Sequence, residues 1–278
     1  MPDSTATLLV TGAAGQLGKL VINHLLTTLQ ISPERIVAGT RNPAKLQDLA
    51  DKGVQVRRLD FNDAESVVTA APGVERVLLI SSDDVLGREG AQKAAVEALV
   101  KAGVKHIVYT SMQALEKSLF KVKSAHAATE EAIKASKVSY SILRNGLYFE
   151  NNIGSIIGAL KSGQWSSAAQ DGKASLLSRE DLARAAAYTL ASDTTENHVE
   201  VVEKPIQVVQ VSVEELAKGA AAATGLPVAV VEIFASIDAS TAAGLASDVT
   251  DGVEKLTGVK PQTHREWLAA NKTFLKTL

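Results

Sequence analysis

Short apolar runs alternate with longer amphipathic stretches through the first half of the chain. Six runs are typical of buried strands, namely Leu8–Val10, Ile36–Thr40, Val54–Leu59, Val77–Ile80, Ile107–Thr110 and Tyr140–Leu143. Between them apolar residues recur at helical spacing, as Leu17, Val21 and Leu25 do after the first strand. Because parallel strands need helical crossovers, this alternation predicts an α/β fold with a Rossmann-type doubly wound parallel sheet.

The regular alternation weakens after about residue 150. Strands are predicted at Val199–Val202, Ile206–Val211 and Val228–Ile233, and the small-residue stretch 235–250 is predicted to be mobile. We therefore expect residues 1–150 to form the sheet domain and residues 151–278 to form mainly a smaller C-terminal substrate lobe. The helix at 181–190 is expected to pack back on the sheet.

Composition and charge exclude several classes of protein. The 278 residues contain 46% hydrophobic and 22% charged residues, which is typical of a globular chain. A net charge of −2 gives no attraction to nucleic acid or to an anionic membrane. The absence of cysteine excludes disulfides, thiolate catalysis and cysteine metal sites, and no metal site is predicted. The first residues lack a signal peptide and no apolar run is long enough to cross a membrane, so we expect a cytoplasmic protein.

A glycine turn directly follows the first strand. Gly12, Gly15 and Gly18 have the spacing G-x-x-G-x-x-G and open a helix. Glycine lets the backbone approach a pyrophosphate, and the N–H groups at the positive end of a helix bind it. The turn therefore predicts a dinucleotide site.

The end of the second strand distinguishes the two nicotinamide dinucleotides. An acidic residue there binds free ribose hydroxyls, whereas an arginine accommodates a 2′-phosphate. Here Arg41 follows the strand and Lys45 comes one turn later, with no Asp or Glu at the strand end. We therefore predict NADP(H) as the cofactor, with the alternative that both residues are solvated charges.

Three more loops are expected around the cofactor, because ligands lie at the carboxyl ends of parallel strands. Asp60 and Phe61 follow the third strand and are placed beside the adenine. Ser81 and Ser82 follow the fourth strand, and Ser111 follows the fifth. Ordinary capping of strand ends is the alternative for each of these loops.

The tyrosine–lysine pair with which most such reductases protonate an alkoxide is missing. No tyrosine lies in residues 120–135, where it is expected, and none of the tyrosines has a lysine four positions later. Either the protein is not an enzyme, or its acceptor needs little help with protonation. A quinone fits the second case, because hydride addition leaves a delocalised phenolate that solvent can protonate.

Several segments together resemble the NmrA-like atypical short-chain reductases, close to the branch of NAD(P)H:quinone oxidoreductase type 2 that also includes triphenylmethane dye reductases. These segments are the glycine turn 11–18, Arg41–Lys45, Gly103–Ile107, His126–Glu130 and Leu143–Tyr148. The resemblance implies NADPH bound without flavin and hydride passed directly to a quinone or another conjugated acceptor.

The resemblance also implies roles for single residues. Gln16 and Leu17 join the glycines in the pyrophosphate loop, and Asn145, Gly146 and Tyr148 lie near the nicotinamide and the substrate. His126 and Tyr148 are the candidate catalytic residues, in orienting roles. For both, packing or an ordinary helix position is the alternative.

Other functions are left open by the sequence. A dinucleotide-sensing regulator without catalysis has the same glycine turn, and the missing tyrosine fits it too. A reductase of ketones, imines or dyes, with Lys121 or Lys123 as proton donor, is a further alternative. The oligomeric state is also open, with a homodimer as one alternative.

Overall fold

The computed structural model describes residues 6–162, 167–202, 205–207, 212–246 and 250–276. Within these ranges the strands are β1 (Leu8–Val10), β2 (Ile36–Thr40), β3 (Gln55–Arg58), β4 (Arg76–Leu79), β5 (His106–Met112), β6 (Ser139–Asn145), β7 (Leu147–Tyr148), β8 (Lys173–Leu177), β9 (His198–Val202) and β10 (Pro205–Gln207). The helices are α1 (Gln16–Asn23), α2 (Gln47–Ala50), α3 (Ala64–Ala70), α4 (Arg88–Lys101), α5 (Lys123–Ala135), α6 (Ile153–Ser162), α7 (Arg179–Ala191), α8 (Val213–Thr224), α9 (Val228–Ala242), α10 (Gly252–Thr257), α11 (His264–Ala270) and α12 (Lys272–Lys276).

The main sheet of the described chain has seven strands in the order β3-β2-β1-β4-β5-β6-β9. Every neighbouring pair is parallel. The first strand, β1, lies in the interior of the sheet; the chain then moves outward through β2 and β3 and returns to the other side of β1 at β4. Ligands of such sheets bind at this point of reversal. The predicted doubly wound parallel sheet is confirmed.

Helices cover both faces of the main sheet. Leu8 and Val10 of β1 pack into one apolar cluster with α1 and α7, whereas Leu9 packs into the opposite cluster with α3, α4 and α5. All three residues are at most 1% exposed. Each such side chain contributes about 1.5–3 kcal/mol by burial, so the strand ends that carry the loops are firmly held.

A smaller sheet lies beside the end of β6. Its order is β10-β8-β7, with β7 parallel and β10 antiparallel to β8. Helix α7 begins directly after β8, where the Ser178 hydroxyl accepts a hydrogen bond from the Asp181 amide at 3.0 Å. Leu182 and Leu190 of α7 then pack into the same cluster as Leu8 and Val10 of β1.

One strand prediction for the second half is wrong. Residues 228–233 are not a strand but the first part of helix α9, which continues through residues 235–242 of the stretch predicted to be mobile. Residues 247–249 of that stretch lie outside the described residues. An apolar run of six residues fits a strand and a buried helix equally well, and here Val231 and Ala235 pack one turn apart against α8. Strand β10 covers residues 205–207, and residues 208–211 of the predicted strand lie outside the described residues.

Candidate functional site

The glycine turn forms a tight bend between β1 and α1. Gly12 has φ +59°, a conformation that favours glycine. A Cβ on Gly18 would lie 2.8 Å from the Cα of Ala13 and still closer to the Gly12 carbonyl oxygen. Helix α1 has no side-chain cap, so the N–H groups of its first turn lack an internal acceptor. This bend has the close backbone approach and the free donors that a pyrophosphate requires.

The bend opens into a cleft of about 610 Å³, here called the glycine-turn cleft. Its walls come from the loops after β1, β2, β3 and β4, with Tyr148 and Arg179 on a further side. Ten of the predicted cofactor residues line it, namely Gly12, Gly15, Gln16, Leu17, Gly18, Arg41, Asp60, Phe61, Ser81 and Ser82. Lys45 does not line the cleft and is exposed on the 3₁₀ turn Pro43–Leu46.

Arg41 lies at the end of β2 with its side chain 64% exposed. Its Nη2 is 3.5 Å from Oδ1 of Asp83, which is itself 81% exposed. An ion pair this exposed contributes little to stability, so an incoming phosphate competes for the guanidinium at small cost. The end of β2 therefore presents an available cation to the cleft.

A second cavity of about 230 Å³, here called the inner cavity, lies next to the cleft. Ile80, Ser81 and Tyr148 line both. Five predicted site residues besides Ser81 line the inner cavity, namely Ser111, His126, Asn145, Gly146 and Tyr148. The two spaces therefore meet at the carboxyl ends of β4 and β6.

His126 is held by a buried chain of hydrogen bonds. The amide oxygen of Gln92 accepts from the Ser81 hydroxyl at 3.0 Å and from the Ser82 amide at 2.8 Å. Nε2 of Gln92 donates to the hydroxyls of Tyr109 at 3.2 Å and Thr129 at 2.8 Å. The Tyr109 hydroxyl lies 2.8 Å from Nδ1 of His126, so this chain of hydrogen bonds holds the imidazole ring in place.

The same burial keeps His126 neutral. Desolvation first, and then the positive charge of Arg88, lower the pKa of His126 to about 3. Burial also raises the pKa of Tyr109 to about 12. Neither group changes its charge near neutral pH, which fits an orienting role for His126 and not that of a titrating acid.

Ser111 is oriented by a buried ion pair. Its hydroxyl donates to Oε1 of Glu130 at 2.7 Å, and Arg144 donates to both oxygens of the same carboxylate at 3.0 and 2.9 Å. Burial opposes ionisation of Glu130, but the hydrogen bonds from Arg144, Ser111 and Lys134 outweigh it and hold the pKa of the carboxyl below its usual value. This pair ties β5 and α5 to β6, just before Asn145 and Gly146.

Three residues of the site are not predicted from the sequence. Arg179 places its guanidinium 5.3 Å from the centre of the Tyr148 ring and donates to the side chain of Gln16. Arg88 lines the inner cavity, and Gln92 organises the hydrogen bonds to His126. No local motif marks these residues, because their partners are distant in sequence.

The alternative proton donors lie elsewhere. Nζ of Lys121 pairs with Glu232 at 2.7 Å, with both side chains about half exposed. Neither Lys121 nor Lys123 lines the inner cavity. No helix in the described part of the chain has the length and apolar character needed to cross a bilayer.

Comparison with known proteins identifies the family. The model of the NmrA-like family matches residues 4–249. The chain belongs to the NmrA-like family. Quinone oxidoreductase 2 of Escherichia coli (strain K12) is 36% identical over 269 residues, which cover 90% of this chain and 93% of that protein. An NAD(P)H azoreductase of Xenophilus azovorans is 25% identical over 260 residues, with 91% of this chain and 87% of that protein covered.

Two solved structures of oxidoreductases share the fold over nearly the whole chain. The E. coli NADPH-dependent quinone oxidoreductase complexed with NADPH superposes with a TM-score of 0.88 at 33% identity, covering 95% of this chain and 99% of that one. The Citrobacter sp. triphenylmethane reductase complexed with NADP(H) gives a TM-score of 0.84 at 33% identity, with the same coverage.

Proposed function

We propose that this protein is an NADPH-dependent reductase that transfers hydride directly to a quinone-like conjugated acceptor, without flavin. The observation that carries the proposal is the junction of the glycine-turn cleft with the inner cavity at Ile80, Ser81 and Tyr148. A dinucleotide in the cleft and an acceptor in the cavity meet there. The relatives named for quinone and triphenylmethane reduction support the same reaction class.

The residues of the cleft fit NADPH. The turn at Gly12, Gly15 and Gly18 accommodates the pyrophosphate at the N-terminus of α1, and Arg41 accommodates the 2′-phosphate. Asp60 and Phe61 line the part of the cleft assigned to the adenine. When bound, the cofactor supplies a hydride with its two electrons.

Side chains of the inner cavity position the acceptor and do not protonate it. His126 is neutral at physiological pH, and desolvation raises the pKa of the Tyr148 hydroxyl. Ser111 has its proton committed to Glu130 at 2.7 Å. An acceptor whose reduced form is a delocalised phenolate needs no strong acid from the protein, which favours a quinone over a simple ketone.

The test is the oxidation of NADPH by the purified protein with 1,4-benzoquinone, a simple ketone, or no acceptor. The proposal expects quinone-dependent oxidation and little with the ketone. Binding of NADPH without quinone-dependent oxidation contradicts it and favours the sensing regulator. The homodimer, the cytoplasmic location and the division at residue 150 remain expectations from the sequence.

A further inference from the structure

Arg88 is a buried cation with no carboxylate at ion-pair distance among the described residues. It is the first residue of α4, its side chain lines the inner cavity, and the residue is 8% exposed. Nη1 donates to the Ser81 hydroxyl at 3.2 Å, whereas the buried Nε has no hydrogen-bond partner. None of the ion pairs in the described part of the chain includes Arg88.

Asp83 and Asp84 attract Arg88 only at longer range, and their direct contacts are with other groups. Oδ1 of Asp84 accepts hydrogen bonds from the amides of Gly87 at 2.9 Å and Leu86 at 3.3 Å. Asp83 lies beside Arg41 on the rim of the glycine-turn cleft. Burying a charge and a donor without partners is unfavourable, so Arg88 reduces the stability of the protein rather than adding to it. The unfavourable burial of the Arg88 guanidinium is explained if a ligand accepts its remaining hydrogen bonds.

The position of Arg88 indicates the kind of ligand. Its partner Ser81 belongs to both the cleft and the inner cavity, so the guanidinium lies beside the place where acceptor and cofactor meet. A guanidinium binds oxyanions through paired, charge-assisted hydrogen bonds. Preorganised donors aimed at developing charge accelerate a reaction most in a dry site.

We propose that Arg88 binds the oxyanion that forms on the acceptor during reduction, and that it thereby selects acceptors whose reduced form is anionic. The inference rests on the proposed function. A hydride with two electrons leaves the bound NADPH and forms a bond to the neutral quinone, which becomes a hydroquinone monoanion with the negative charge on oxygen. A proton from solvent then completes the hydroquinone, and the cofactor leaves as NADP⁺.

Charge distinguishes two classes of acceptor in this site. A neutral quinone gains a negative charge on reduction, so its transition state is attracted to Arg88. A cationic triphenylmethane dye becomes neutral on reduction, and Arg88 repels it before the reaction. Arg88 therefore favours quinones over cationic dyes.

The test compares the wild type with Arg88→Gln and with the control Lys93→Gln, which removes an exposed charge from the same helix. We expect Arg88→Gln to lower kcat/KM for 1,4-benzoquinone by about a hundredfold, as the loss of one oxyanion donor does. For the cation crystal violet, kcat/KM should stay the same or rise. The melting temperature should not fall, whereas a structural role predicts that it does.

A binding measurement separates the inference from the proposed function. Equilibrium dialysis with 4-nitrophenolate, a stable phenolate, should give a Kd at least about tenfold weaker for Arg88→Gln than for the wild type or Lys93→Gln. Equal phenolate binding and equal benzoquinone turnover in Arg88→Gln overturn the role of Arg88 and leave the quinone reductase intact. If the wild type does not reduce benzoquinone, the proposed function fails, and the phenolate measurement alone decides whether Arg88 is an anion site.

Discussion

The substitution Gly18→Ala tests the geometry of the glycine turn. The new Cβ would lie 2.8 Å from the Cα of Ala13 and 3.0 Å from the carbonyl carbon of Gly12, where ordinary contacts begin at 3.4 Å. The turn must therefore open by more than about half an ångström. Overpacking of this kind costs about 1–3 kcal/mol, and the better helix propensity of alanine returns about 1 kcal/mol. We expect the free energy of unfolding to fall by about 0–2 kcal/mol.

Binding of NADPH should suffer more than stability does. An opened turn moves the N–H donors of the first turn of α1 away from the pyrophosphate. The loss of one hydrogen bond to a charged group costs about 1.5–3 kcal/mol, so the Kd should rise by at least about tenfold. Isothermal titration calorimetry measures the Kd, and urea denaturation measures the stability.

The matched control is Gly90→Ala. Gly90 is an exposed residue of helix α4, and a Cβ there meets nothing within 4 Å. This variant should bind NADPH as the wild type does and be slightly more stable, because alanine favours a helix. If Gly18→Ala binds NADPH within twofold of the wild type, the assignment of this turn to the pyrophosphate is refuted.

Three further predictions concern charge. Arg41→Gln should weaken NADPH binding about tenfold and NADH binding less than twofold, and Lys45→Gln should have a smaller effect. An equal loss of affinity for NADPH and NADH in Arg41→Gln contradicts the 2′-phosphate assignment. Glu130→Gln removes a carboxylate that is 2% exposed and should lower the free energy of unfolding by about 3–5 kcal/mol in urea denaturation, and a loss below 1 kcal/mol contradicts its role. His106 and His126 both have a pKa lowered to about 3, the first mainly by burial, so folding favours their neutral forms. The free energy of unfolding is therefore highest above about pH 6.5 and decreases as the pH falls, by about 2 kcal/mol for each histidine at pH 5. An unfolding free energy that stays constant from pH 7 to pH 5 disproves this.

The first half of the fold was predictable because the spacing of apolar residues in each segment is typical of either a strand or a helix. Leu8–Val10 is apolar throughout and becomes a fully buried parallel strand, and the glycine spacing after it specifies the bend. Val228–Ile233 was not predictable in the same way, because an apolar run of this length fits two structures. Packing against α8 decides between them, and that contact is invisible in the local sequence.

The residues of the site likewise divide into those that the sequence predicts and those that it does not. Ser81 follows β4, and Ser111 and Asn145 lie at the carboxyl ends of β5 and β6. The rule for parallel sheets therefore places all three at one edge before any contact is known. Arg88 and Arg179 reach the site from helix N-termini, and their importance comes from side chains that fold next to them. Burial of Arg88 without an acidic partner depends on the whole packing of β4, α4 and β5, which no spacing in the sequence reveals.

The most direct test of the account is a single turnover of the purified protein with NADPH carrying deuterium at C4 and with 1,4-benzoquinone. The flavin content of the same sample is measured by absorbance. We predict one NADPH oxidised for each hydroquinone formed, a primary isotope effect on the rate, and no bound flavin. Turnover that appears only after flavin is added, or NADPH binding with no turnover at all, contradicts direct hydride transfer from the glycine-turn cleft to the inner cavity.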